Sequence, residues 1–308
     1  MTGRTRWWLW MLFVVALAAR LLYVGLGGAG QSPDNYREYV IAGQKLLKHG
    51  AIVSPFVPLD SDATSPSSLL PPIYTGIVAG AYWLLGVESP TATFALRLLN
   101  ALATAAIVFP VFSVGQSLGG RRAGWLAAVI AALNPAVIGF VGLIWDTSLL
   151  TLGVCITAWW SWRLAAQRPS AWGWTGFGLW LGALAVFNPA LTIAYPLFVL
   201  FPALRHADGR MHGLVVPVAA TLLGWGVAIT PWTVRNLVVL DELMYIRGGL
   251  WLEVWLGVCP EASGTGNRVY PTHFPLLNPD QQQRVAVLGE AAYIDEAGRM
   301  ARAAIAAD

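Results

Sequence analysis

In the stretch "SPDNYREYV", residues 32–40, Asp34, Arg37 and Glu38 fall within five positions and directly follow an apolar run long enough to cross a bilayer. A carboxylate with a cation one helical turn away has two uses. It can complement the start of a helix and pair with its neighbour, worth roughly a few tenths of a kcal/mol. Placed just above a membrane, it can instead serve as base for an acceptor hydroxyl while cations hold a lipid-borne phosphate.

Other residues invite the same two readings. Arg20 lies near the end of the first apolar run, either facing a protein interior or snorkelling to headgroups. Asp146 in "GLIWDTSLL" either caps the following helix or supplies a second acid for metal binding or acceptor orientation. Arg235 in "TPWTVRN" sits beside an interfacial Trp, which is an ordinary way to end a span. In the helix expected after Ser32 and Pro33 and before Gly50, Tyr36, Tyr39, Val40, Gly43 and Leu47 share one stripe, while Arg37, Lys45 and Lys48 look elsewhere. Cys155 and Cys259 show no metal-type spacing and read as structural. No Ser-His-Asp set, phosphate-binding loop or dinucleotide glycine motif occurs.

The elements that must position these groups are membrane helices. Of 308 residues, 56% are hydrophobic and 11% charged, against about 25% charged in a soluble domain. Sixteen Trp suit a chain with many membrane–water interfaces. The class is an all-α polytopic membrane protein, and a net charge of +3 gives no reason to expect a nucleic-acid partner. Arg4, Arg6 and the run from Trp7 resemble a signal peptide, but the run continues past Arg20 and is Trp-rich, so a retained span is expected.

Apolar runs fall at 7–27, 72–86, 95–118, 123–144, 147–162, 172–187, 190–204 and 213–230. If 72–86 spans, Arg121, Arg122, Arg163, Arg168, Arg205 and Arg210 fall on the outer side, against the positive-inside rule. If 72–86 only dips into the outer leaflet, all six fall inside. The second reading gives about seven crossings, with the N-terminus cytoplasmic and the C-terminus outside. The expected organisation is a transmembrane core at 1–230, with a first external loop at 28–71 and a dipping helix at 72–86. An extracytoplasmic segment follows at 231–308, its last part, from Gln281, reading as one amphipathic helix along a surface. Asp34, Glu38, Asp60, Asp62 and Asp146 then lie outside, leaving Asp208 alone on the cytoplasmic side.

In order along the chain stand "RLLYV", "PDNYREYVIAGQKLLKHG", "LLPPIYTGIVAGAYWLLG", the long run from "LRLLNAL" to "WDTSLLTL", "LWLGALAVFNPALTIAYP", "TPWTVRN" and "GGLWLEVWLGVCPEASG". Together they resemble the GT-C superfamily of membrane glycosyltransferases. Within it they are most similar to the bacterial family-39 type, akin to protein O-mannosyltransferases and aminoarabinose lipid A transferases. The resemblance implies inverting transfer of a sugar from a polyprenyl-phosphate donor to a lipid, glycan or protein acceptor on the outer face of the cell membrane. It also implies that no cofactor is required, a divalent metal remaining an open addition. It casts Asp34 as catalytic base, Arg37 as donor-phosphate ligand with Arg20, Lys45 and Arg235 as further cations, and Asp146 and Glu38 as acceptor or second acidic positions. Asn35, Leu70 and the Asn188–Pro189 pair stand where many such enzymes have Glu, a basic residue and Arg-Pro. Those enzymes also continue with further spans, so a second polypeptide supplying them is expected. Two other readings stay open: a transporter or flippase for a lipid-linked sugar, and an inactive membrane scaffold. The scarcity of acids and lysines within the spans counts against ion-coupled transport.

Overall fold

A computed structural model describes residues 3–28, 37–59, 65–167, 169–206, 212–264 and 266–307. Asp34, with Ser32 and Pro33, lies outside the described residues, as do Asp60, Asp62, Arg168, Asp208 and Arg210. The structure is 81% helical, with no strand among the described residues. Among the described residues, one isolated bridge joins Val53 to Pro66. In chain order the helices are α1 (Gly3–Tyr23), α2 (Glu38–His49), α3 (Pro72–Leu85), α4 (Pro90–Ala106), α5 (Val108–Leu133), α6 (Pro135–Gly139), α7 (Thr147–Ala166), α8 (Ala171–Phe187), α9 (Tyr195–His206), α10 (His212–Leu240), α11 (Leu250–Val258), α12 (Gly266–His273), α13 (Pro279–Leu288) and α14 (Glu290–Ala307).

Among the described residues, four segments are long and apolar enough to cross a membrane: Gly3–Gly27, Pro90–Leu133, Thr147–Ala166 and Gly213–Leu240. The chain is therefore an all-α, membrane-embedded protein. The run at 72–86 folds as the short helix α3, with Pro71 as its N-cap and Pro72 in its first turn, where a missing N–H is harmless. Residues 1–31 and 93–231 form one compact unit, and 32–92 with 232–308 form a second. The first external loop and α3 thus group with the C-terminal segment rather than with the 1–230 core expected from sequence. Hydrogen bonds from the loop at 52–69 to Arg235 and Glu290 account for the grouping.

In the first unit, the segment Pro90–Leu133 holds 44 residues, about 66 Å as a straight helix, or twice the hydrocarbon core of a bilayer. It turns back on itself. Gly119 and Gly120 leave helical geometry, Gly120 at φ 76, a conformation disfavoured for residues with a Cβ. The two legs then pack face to face, Phe112 meeting Trp125 with ring centroids 5.0 Å apart. Against them α1 buries Leu9 and Ala16 among Ala105, Val108, Phe112, Ala128 and Ala132. Leu9 at the level of Phe112, and Arg20 bonded to Thr104 and Ala132, place the start of α1 beside the Gly119–Gly120 reversal. Helix α7 runs back toward that same end, where Trp162 stacks on Phe201 at 5.8 Å and His206 bonds the Leu164 carbonyl. Exposed Arg4, Arg6, Arg121, Arg122, Arg163 and Arg205 therefore collect at one end of this unit. Arg97, Asn100, Asp146 and Asn188 collect at the other.

Helices α8 and α10 approach each other closely at glycines. A Cβ added at Gly178 would lie 2.0 Å from the Thr221 carbonyl oxygen, and one at Gly224 would lie 2.1 Å from that of Thr175. Small residues at such crossings let membrane helices gain van der Waals contact that lipid cannot replace.

In the second unit α2 packs on α3, with the Tyr39 and Tyr74 rings edge to face at 4.8 Å. Helix α14 packs on α11, where Gly298 sits against Trp251 and the Arg302 guanidinium lies 4.6 Å from the centre of that ring. The tail expected as one surface helix is two, α13 and α14, parted at Gly289 (φ 83). The apolar face of α14, including Tyr293, Ile294 and Ala297, is buried within the unit rather than left for a lipid surface.

Gly178→Ala and Gly224→Ala should each destabilise the folded protein by about 1–3 kcal/mol, because backbone oxygen has no room to yield. Gly226→Ala, on the same helix with nothing within 4 Å, should be near neutral. Thermal melts of the three detergent-solubilised variants check the contrast.

Candidate functional site

The described part of the opening motif begins at Arg37, which precedes the first residue of α2. Its Nη2 donates to Glu88 Oε1 at 2.9 Å, with both side chains about two-fifths exposed. Glu88, in the turn after α3 at φ 48, also accepts from the Gln44 side chain. A single carboxylate thus orients Arg37 and ties the start of α2 to the end of α3.

Lys45 does not look outward. Its side chain is 1% exposed, and Nζ donates to the Ser54 carbonyl at 2.6 Å and the Val57 carbonyl at 2.5 Å. The reason is geometric. Glu38, Ala42 and Lys45 lie three to four residues apart, one above the other on the helix, and all three are buried along with Tyr39, Val40 and Gly43. The stripe read from sequence was too narrow.

Arg235 is used in the same way. Its Nη1 donates to the Ser67 carbonyl at 2.9 Å and its Nη2 to the Ile52 carbonyl at 3.3 Å, while the guanidinium covers the Trp232 ring at 4.8 Å. Beside it Asn236, wholly buried, donates to the Met244 and Ile246 carbonyls at 3.2 Å. These bonds clamp residues 52–57 and 65–69, whose backbones also meet through Ser54 N–H to Ser65 O at 3.1 Å and Ser67 N–H to Ile52 O at 3.0 Å.

At the centre of this clamp stands Glu290, a residue the sequence reading passed over. It is the first residue of α14, where a carboxylate complements the helix dipole. The Ser67 hydroxyl reaches both carboxylate oxygens at 2.8 Å, and the Ser68 N–H donates at 3.2 Å. An acid after Gly289 is a legible helix-start signal. Its partners, 223 residues earlier in the chain, are not. Burial raises the Glu290 carboxyl above its ordinary 4.5, opposed by the hydrogen bonds it accepts. Burial also lowers Lys45 from 10.5 to about 8, partly offset by the Glu290 charge.

In the first unit, Arg20 is wholly buried at the end of α1. Nε donates to Thr104 Oγ1 at 2.9 Å, and Nη1 to the carbonyls of Ala16 at 2.8 Å and Ala132 at 2.9 Å. Ala132 lies in the last turn of α5, where carbonyls lack helical partners and a cation is favoured. Snorkelling is excluded by this burial. Asp146 is also buried, and it precedes α7 without capping it. Instead Oδ2 accepts from Asn188 Nδ2 at 2.7 Å, joining two interhelical turns 42 residues apart, while the Asn188 Oδ1 caps Ala190.

The structure therefore brings Arg37, Glu38, Lys45 and Arg235 into one unit and Arg20 with Asp146 into the other. Glu38 is buried on the α2 face that also carries Lys45.

The raised Glu290 carboxyl fixes a pH dependence. The folded form holds its proton above pH 4.5, so the stabilisation it contributes is complete below that value and is lost as pH rises through the folded pKa. Lys45 acts at the other end of the scale, where stability should rise with pH between about 8 and 10.5. Melting temperature measured from pH 4 upward should fall across the Glu290 window in the native sequence. In Glu290→Gln that slope should vanish, and Glu290→Ala should lose about 1–3 kcal/mol by stranding its buried donors.

Against protein-family models, curated proteins and solved structures, the chain gives no match.

Proposed function

We propose that this chain is an inverting glycosyltransferase that moves a sugar from a polyprenyl-phosphate donor to a lipid, glycan or protein acceptor at the outer face of the cell membrane. The ordered motifs that resemble GT-C enzymes motivate the reading. The observation that carries it is the start of α2, where Arg37 holds a two-fifths exposed guanidinium three residues after Asp34.

In this mechanism Asp34 accepts the proton of an acceptor hydroxyl, whose oxygen attacks the anomeric carbon. The bond from that carbon to the phosphate oxygen breaks, and polyprenyl phosphate leaves with the electron pair. Arg37 meets the phosphate charge. Lys45 and Arg235 donate to backbone carbonyls, so they act on the phosphate through their field and by holding the loop at 52–69. Arg20 supports the end of α5. Asp146 and Glu38, both buried, are candidates for orienting an acceptor or a divalent ion.

Seven crossings fit this scheme. They are α1, the two legs of 90–133, α7, α8, α9 with the 3₁₀ turn at Pro189–Ala194 before it, and α10. The exposed arginines at one end of the first unit favour that end as cytoplasmic. Asp146 would then face outward.

Replacing Asp34 with Asn should reduce transfer from a radiolabelled polyprenyl-phosphate sugar by about a hundred- to ten-thousand-fold while the melting temperature is unchanged. Arg37→Ala should weaken donor binding more than it slows turnover at saturation. Transfer by Asp34→Asn at the native rate would refute the base assignment. Movement of the donor lipid across proteoliposomes without sugar transfer would favour a flippase.

A further inference from the structure

Outside the proposed transfer site, the second unit holds three potential ligands of different chemistry. Cys259 Sγ, a Glu261 carboxylate oxygen and a His273 ring nitrogen all lie within 4.8 Å of one another. We propose that Cys259, Glu261 and His273 form a binding site for a divalent d-block cation of the zinc type, held by one sulfur, one oxygen and one nitrogen.

The geometry is close to a coordination shell before any ion arrives. Metal bonds of 2.0–2.3 Å in a tetrahedral arrangement set ligand atoms about 3.3–3.8 Å apart, so movements of an ångström or less suffice. Glu261 and His273 already meet at 2.7 Å through Nε2. A cation would replace the proton they share. The thiolate and carboxylate together carry the two negative charges that neutralise it.

The backbone presents these groups from fixed places. Cys259 closes α11, its N–H bonded to the Trp255 carbonyl at 2.9 Å. Its own carbonyl accepts from the Ala262 N–H at 2.8 Å, closing a turn around Pro260 and Glu261. The sulfur and oxygen ligands thus share one short, constrained turn. His273 arrives separately, as the last residue of α12, with its ring edge-on to Trp255 at 5.4 Å. Asn278 Nδ2 donates to the Pro271 and Thr272 carbonyls at 3.1 and 3.0 Å, and Tyr293 Oη donates to the His273 carbonyl at 3.2 Å. Ligands held this way lose little freedom on binding.

Ligand type selects the ion. Sulfur with imidazole disfavours calcium and magnesium and suits zinc, cobalt or nickel. Three protein ligands leave at least one coordination position open, the arrangement of reactive rather than closed zinc sites. The neighbouring segments also enclose a cavity of about 260 Å³, lined in part by Leu256, Ala262, Val269 and Tyr270 but by none of the three ligands. A plain His–Glu ion pair would leave the buried thiol, whose contact with the Leu256 carbonyl is 3.8 Å long, without a role in the cluster.

Cobalt(II) titration of the full-length, metal-stripped protein in detergent tests the site. One equivalent should bind and give a sulfur-to-cobalt charge-transfer band in the near ultraviolet, which zinc then displaces. The band should persist in Cys155→Ser and disappear in Cys259→Ser. Against a competing chelator, zinc affinity should drop at least about tenfold in His273→Ala and in Glu261→Gln, the latter on an exposed turn where folding is least at risk. Absence of the band, its survival in Cys259→Ser, or equal zinc affinity in both ligand variants would overturn the proposal. None of these outcomes bears on sugar transfer.

Discussion

A carbonyl oxygen left without a partner in a hydrocarbon or otherwise dry environment costs several kcal/mol, and every helix end exposes such oxygens. In this protein the buried polar side chains answer that constraint. Arg20 meets the last turn of α5 through Ala132, Arg97 meets Gly142, and Asn100 meets Leu143. Lys45, Arg235 and Asn236 do the same for Ser54, Val57, Ile52, Ser67, Met244 and Ile246. Arg20, Lys45 and Arg235, three of the residues that look chemically active in the sequence, are therefore also fasteners of helix ends and irregular backbone. Without them, the loops between helices could not be buried.

This double use narrows the chemistry. Arg20 commits Nε and Nη1 to two carbonyls and a hydroxyl and, with only Nη2 unengaged, is wholly buried, whereas Arg37, joined to Glu88 at the surface, can exchange partners at small expense. Glu290 occupies the opposite extreme. Enclosed by Ser67 and Ser68, it holds the loop of the second unit by accepting where its neighbours donate. The unit thus carries a buried cation and a buried acid, both tuned chiefly by desolvation, which at Glu290 is opposed by the hydrogen bonds it accepts.

Much of the fold was legible because membrane helices announce themselves locally. Apolar length identified α1, α7 and α10, and the Pro-Pro pair identified the short α3. The Gly119–Gly120 reversal followed from the break between two apolar runs with Arg121 and Arg122 beside it. The split of the C-terminal tail at Gly289 was missed because α13 and α14 continue one amphipathic pattern across the glycine. The burial of Lys45 was missed for a related reason: a charged side chain is expected on the wet face unless carbonyls 9 and 12 residues further on come back to receive it.

Composition and periodicity alone determined that the chain is helical and membrane-embedded, and they placed charge at the ends of its apolar runs, since these depend on neighbours within a turn or two. They also singled out Arg37 at the start of α2. Tertiary structure decided which charges remain available. It alone paired Asp146 with Asn188, Glu290 with Ser67, and Cys259 with Glu261 and His273. Hydrogen bonding and coordination act over about 3 Å in space, whatever the separation in sequence, so only the folded chain could bring those partners together.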